Sequence, residues 1–219
     1  MATESAEIIY GIWPKVEYER PVRWGWTGNL PEDGIDMEFR LTYEGPLKAS
    51  ADLKAKHVIR QQFHQQLSEL WNVHGILKPL RKSALHFERL KESKCGFNFV
   101  PLVRDKFSLG CGLDILFLRR ETPGNVVHGG DIDNRLKTLI DALKMPESDN
   151  ELKGIAPTDG EDPFFCVMEK DSLLCDISVI TDRLLWPIKP GENPNTVHLV
   201  IQVKVSVIDP SKTWVGWGL

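Results

Sequence analysis

From Met37 to Tyr43 the chain alternates, with Met37, Phe39, Leu41 and Tyr43 on one side of an extended segment, the period of a strand with one buried face. The spacing then changes to three and four. Ala55, Ile59, Phe63, Leu67 and Leu70 predict a helix that starts near Ser50, read as its N-cap, and stops at Gly75. Residues 76–94 are basic and show neither period. FNFVPLV (97–103) and LDILFLRR (113–120) predict two strands, with the chain from Lys106 to Gly112 turning between them. A second helix is marked by Leu136, Leu139, Ile140 and Leu143, read as its core stripe, with Asn134, Lys137, Asp141 and Lys144 on the opposite stripe. CDISVITDRL (175–184) and TVHLVIQVKVSVI (196–208) predict two closing strands; in the second, Ile201, Val203, Val205 and Val207 alternate with Gln202, Lys204 and Ser206. This order predicts a mixed α/β (α+β) domain over residues 35–208, its mainly antiparallel sheet covered by helices.

Three stretches lie outside that pattern. Residues 1–34, with Trp13, Trp24 and Trp26, read as an irregular arm, and residues 209–219 as a short tail with two more tryptophans. Residues 145–167, beginning MPESDNELKGIAPTDGEDP, read as an acidic insertion without regular structure.

At 219 residues, 42% hydrophobic and 26% charged, the composition is that of an ordinary globular domain. No run of about 18 apolar residues predicts a membrane span, and the N-terminus lacks the pattern of a signal peptide. Cys95, Cys111, Cys166 and Cys175 have no CxxC spacing, which argues against structural zinc and for reduced thiols in a cytoplasm. The net charge of −4 alone argues against a nucleic-acid partner. Its distribution argues the other way: residues 54–106 carry a local balance of +7 and residues 147–176 one of −7. Such segregation either marks a binding face beside an acidic site or two independently solvated surfaces.

The stretch GGDIDNRLKTLIDALKMP sets two carboxylates, Asp131 and Asp133, one residue apart at the helix start. On a helix, residues two apart point about 200° from one another. In extended chain they point the same way. Gly129 and Gly130 allow that geometry, so Asp131 is expected to be extended and Asp133 to be the last non-helical residue. Either Asp133 is an N-cap and Asp131 a solvated loop residue, or a cation sits between them, and Mg²⁺ takes such ligands. Glu169 and Asp171, before a strand, are the candidates for a further ligand, on one side if extended. Lys137, one turn after Asp133, serves either as an ion-pair partner of Asp133 or Asp141 or as a cation aimed at a metal-held phosphate. His128 is a candidate metal ligand or base, or a solvated loop residue.

DIDNRLKTLIDAL, followed by MEKDSLL and a strand, resembles the RusA-like Holliday junction resolvases, in Asp131, Asp133, Asn134, Lys137, Asp141, Ala142 and Leu143 and in the acids of Glu169-Lys170-Asp171. The resemblance implies a RusA-like fold and a crossover junction endodeoxyribonuclease. It implies Asp131, Asp133 and Asp171 as Mg²⁺ ligands, with Glu169 beside them and Mn²⁺ as a substitute, and Lys137 as the catalytic lysine. It further implies branched DNA as substrate, held by Lys54, Lys56, Arg60, Arg81, Lys82, Arg119 and Arg120, and a homodimer. The longer, net acidic chain leaves a second reading open: a non-catalytic relative that binds nucleic acid and contacts protein partners through the acidic insertion.

Overall fold

The computed structural model describes residues 37–120, 131–187 and 190–209. The arm 1–34, His128 with its flanking loop, the side chain of Asp131 and the tail beyond Asp209 lie outside the described residues. In chain order the elements are β1 (Met37–Pro46), α1 (Leu53–Val73), α2 (Leu77–Lys82), α3 (Ala84–Glu88), β2 (Glu92–Lys94), β3 (Phe97–Val103), β4 (Leu109–Arg119), α4 (Asp131–Leu143), β5 (Phe164–Met168), β6 (Leu174–Arg183) and β7 (Thr196–Val207). Short 3-10 turns lie at Asp105–Phe107, Asp149–Leu152 and Asp171–Leu173.

The larger sheet has the order β1-β7-β4-β6, and the smaller one β2-β3-β5. The fold is mixed α/β, as the sequence pattern predicts. Three of the five pairings are antiparallel, while β4–β6 and β3–β5 are parallel. Leu113, Ile115 and Phe117 of β4, with Leu199, Ile201 and Val203 of β7, share a core with Ile59, Phe63 and Leu67 of α1 and Leu139 and Leu143 of α4. The intervening residues face outward and pair with each other, as Lys204 with Asp114 at 2.6 Å and Gln202 with Glu38 at 2.8 Å. Among the described residues no helix is long and apolar enough to cross a membrane, and all four cysteines are free of disulfides.

Helix α1 begins two residues later than expected. Asp52, rather than Ser50, is the N-cap, accepting from the Ala55 N–H at 2.7 Å. It ends where His74 turns extended and its N–H closes on Leu70 O at 2.9 Å. The basic stretch 76–94 resolves into α2, α3 and β2.

The larger correction concerns the acidic insertion, which holds β5. Phe164, Phe165, Cys166, Val167 and Met168 are all buried, each phenylalanine contributing about 1.5–3 kcal/mol by leaving water. A second apolar cluster of Phe97, Phe99, Met145, Leu152, Phe164 and Cys166 fastens the insertion to the smaller sheet. His64 of α1 clamps it from the other side. Its Nδ1 accepts from the Phe165 N–H at 2.9 Å, and its Nε2 bonds Gly160 O at 3.0 Å. Only one neutral tautomer satisfies both, with the proton on Nε2.

A candidate active-site cleft beside helix α4

Helix α4 includes Asp131, so Asp131 and Asp133 both lie on helical backbone and the extended, period-two geometry expected of the pair does not occur. The helix is also rotated from the expected orientation. Arg135, Thr138, Leu139, Ala142 and Leu143 are buried, whereas Leu136 and Ile140 are only half-buried. Arg135 points a nitrogen toward Asn195 Oδ1 at 3.5 Å. The rotation turns a different stripe outward: Asp133, Leu136, Lys137, Ile140 and Asp141, spaced at three and four along one face. These five residues form one wall of a cleft of about 540 Å³.

Asp171, Ser172, Leu174 and Ile177 form the opposite wall. Backbone pairing brings them there. At the exit of α4 the Met145 N–H donates to Met168 O at 2.8 Å, and the Glu169 N–H donates to Val103 O at 2.9 Å. The end of β5 is thereby fixed beside both α4 and β3, and the 3-10 turn that follows carries Asp171 back to the helix. The same turn separates the two expected acids. Glu169 accepts from the Asp105 N–H at 3.2 Å and lies 3.9 Å from Arg104 Nε. Glu169 therefore faces away from the cleft, because the 3-10 turn breaks the extended spacing that would have aligned it with Asp171.

Asp133 and Lys137 are exposed in the cleft, and no ion pair joins Lys137 to Asp133 or Asp141 among the described residues. Asp141 is engaged elsewhere. Its Oδ2 meets Lys56 Nζ at 2.6 Å, and its carbonyl accepts from Arg60 Nη2 at 3.0 Å. Lys144, buried to 6% exposure, bonds Glu147 and stands 3.7 Å from Asp171 Oδ2. Burial works against its charge, but the bond from Glu147 and the charges of Asp171, Glu147 and Glu151 outweigh that cost and hold its pKa above the usual lysine value. Asp141 and Lys144 were not singled out by sequence as site residues. A four-residue repeat from Asp133 through Lys137 to Asp141 was the available signal for the first, but nothing local marked Lys144 as buried.

Of the basic residues expected to hold DNA, Lys54 and Lys82 are exposed. Arg60 and Arg119 are buried to 2% and 3% exposure and cannot present a guanidinium to a phosphate backbone. Arg120 is spent internally: it bonds Glu192 Oε1 at 2.6 Å and the carbonyls of Trp186 and Leu184. Lys56 is paired with Asp141, and Arg81 donates to Ser68 O at 2.8 Å. The basic surface is thus smaller than the charge count of the sequence suggests.

Among the described residues no three acidic, imidazole or thiol groups converge on one metal position; the side chain of Asp131 is outside that set. Among the described residues the polar groups lining the cleft are carboxylate, hydroxyl and ammonium. The carboxylate and hydroxyl oxygens suit a hard divalent cation. Neither a family model, nor a curated protein, nor a solved structure matches this chain.

Proposed function

We propose that this protein is a Mg²⁺-dependent, structure-selective DNA endonuclease resembling the RusA-like Holliday junction resolvases, which hydrolyses phosphodiester bonds in branched DNA. One observation carries the reading: Asp133 and Lys137 on α4 and Asp171 on the turn before β6 line one cleft. Asp133 and Asp171, with Asp131 at the helix start, are the residues that would hold the cation. When bound, Mg²⁺ acidifies an attacking water and neutralises charge at the scissile phosphate. Lys137, which forms no ion pair among the described residues, donates to a phosphate oxygen and strengthens that bond as charge develops in the transition state. Asp141, fixed by Lys56 and Arg60, anchors α4 to α1 and so sets where Asp133 and Lys137 stand. Leu136, Ile140 and Ile177 supply apolar lining to the same cleft. The enzyme acts in the cytoplasm, as a homodimer whose two clefts address opposed strands of a junction.

A second reading has one observation in its favour. Lys144 already stands beside Asp171, as an internal cation would in a non-catalytic relative that binds nucleic acid through protein partners. The two separate in one experiment: incubation with four-way junction, flap and linear duplex DNA, with Mg²⁺, Mn²⁺ or EDTA. Cleavage of branched DNA that needs the metal supports the enzyme; binding without cleavage under every condition supports the module.

A further inference from the structure

At the far end of α1 lies a second cavity of about 330 Å³, lined by Trp71, Asn72, Lys78, Arg81 and Lys82. Among the described residues its lining holds three cations and no carboxylate. The chain from Leu70 to Phe87 contains no Asp or Glu at all. Lys78 and Lys82 are exposed and form no ion pair among the described residues. Arg81 is held in place, donating from Nη1 to Ser68 O at 2.8 Å while its guanidinium stacks 4.8 Å above the Phe165 ring. Glu69, one residue before this stretch, acts on the Arg81 charge and accepts from Asn72 at 3.4 Å. Trp71 is 2% exposed, and its buried indole N–H has no acceptor among the described residues, although buried donors are nearly always satisfied. One held guanidinium, two exposed ammonium groups and an indole donor lacking an acceptor are what an anion with several oxygens would complete.

We propose that this cavity binds a backbone phosphate of the nucleic acid, as a second anchoring point away from the cleft. The proposal rests on the nuclease reading for its ligand but not for its geometry. Trp71 lies on the same helix as Lys56, which touches the cleft residue Asp141. Fifteen residues of helix separate them, about 22 Å at about 1.5 Å per residue, or some six nucleotides of one strand at about 3.4 Å each. A strand cut at the cleft would therefore be gripped about half a helical turn away.

The test is DNA binding in EDTA, where no cleavage occurs. Fluorescence anisotropy of a labelled 20-bp duplex is followed against NaCl for the parent, for Lys78→Gln/Lys82→Gln and for Trp71→Phe. Loss of this one phosphate contact should make the slope of log K against log salt shallower by about 0.9 in the lysine variant. Trp71→Phe, checked for folding by its thermal midpoint, should weaken binding without changing the slope. An unchanged slope in the lysine variant overturns the cavity's role, while the nuclease reading stands if the parent still cleaves. A shallower slope with a parent that never cleaves keeps the cavity and removes the nuclease reading. A parent that binds inorganic phosphate there but no DNA overturns the proposal.

Discussion

Lys144 holds its ammonium 3.7 Å from Oδ2 of Asp171, and 4.0 Å from Oδ1 of Asp141. One buried lysine thus spans both walls of the cleft, tying α4 to the turn that precedes β6. A divalent cation entering at Asp133 and Asp171 meets this charge at close range. Lys144→Met should therefore bind Mn²⁺ more tightly, by about 1 kcal/mol or more in a water-like dielectric, roughly fivefold in Kd. Its partners Glu147 and Asp171 are exposed and rehydrate easily, so stability should change by less than about 1 kcal/mol. Titration of Mn²⁺ by electron paramagnetic resonance checks this, and an unchanged Kd contradicts it.

Arg60 is a structural clamp rather than a DNA contact. It donates to Asp141 O at 3.0 Å and to Glu151 Oε2 at 3.4 Å, joining α1 to α4 and to the acidic insertion. Arg60→Met should cost about 2–3 kcal/mol in urea unfolding, less than a fully buried pair because Glu151 is part-exposed and can rehydrate. A variant as stable as the parent but weaker in DNA binding would return Arg60 to the interface.

Stability should fall on the acid side of neutrality. Burial lowers the pKa of both His57 and His64, so both are neutral in the fold. As pH falls through about 6.5 the unfolded chain takes up protons first. The stabilisation is complete above that value and is lost as pH drops toward the lower folded pKa values. Protonation of His64 Nδ1 also removes the acceptor for the Phe165 N–H. The thermal midpoint should drop by several degrees between pH 7.5 and pH 5.5, and less steeply in His64→Gln. Equal steepness in parent and variant would show that His64 does not drive the loss.

Most strands and the long helices were legible because they alternate or repeat cleanly, as β1, β7 and α1 do. β5 was not. A strand buried on both sides has no alternation, and Phe164–Met168 sits inside a run of acids and prolines that reads as loop. The face of α4 was misjudged for a related reason: Leu136 and Ile140 fit a core stripe, yet they line the cleft while Arg135 and Thr138 are buried. Charge patterning located a basic region but could not separate Lys54, which is exposed, from Arg60 and Arg119, which are not. Asp133, Lys137 and Asp171 were singled out from the sequence, and the fold places them in one cleft. Glu169 fails because a three-residue turn, invisible in composition, carries Asp171 back to the helix and leaves Glu169 beside Asp105 and Arg104.

The most direct test is single-turnover cleavage of a four-way junction by the parent and by Lys137→Ala, each with Mg²⁺ and with EDTA. Lys137 is exposed and forms no ion pair among the described residues, so its loss should leave the fold intact and remove no more than one phosphate contact from DNA binding. The parent should cleave only with the metal, and Lys137→Ala should cleave roughly 10²–10³-fold more slowly, as when one oxyanion donor is removed from an enzyme. A Lys137→Ala rate equal to the parent's, or a parent that leaves every branched DNA uncut with Mg²⁺ present, would contradict the account.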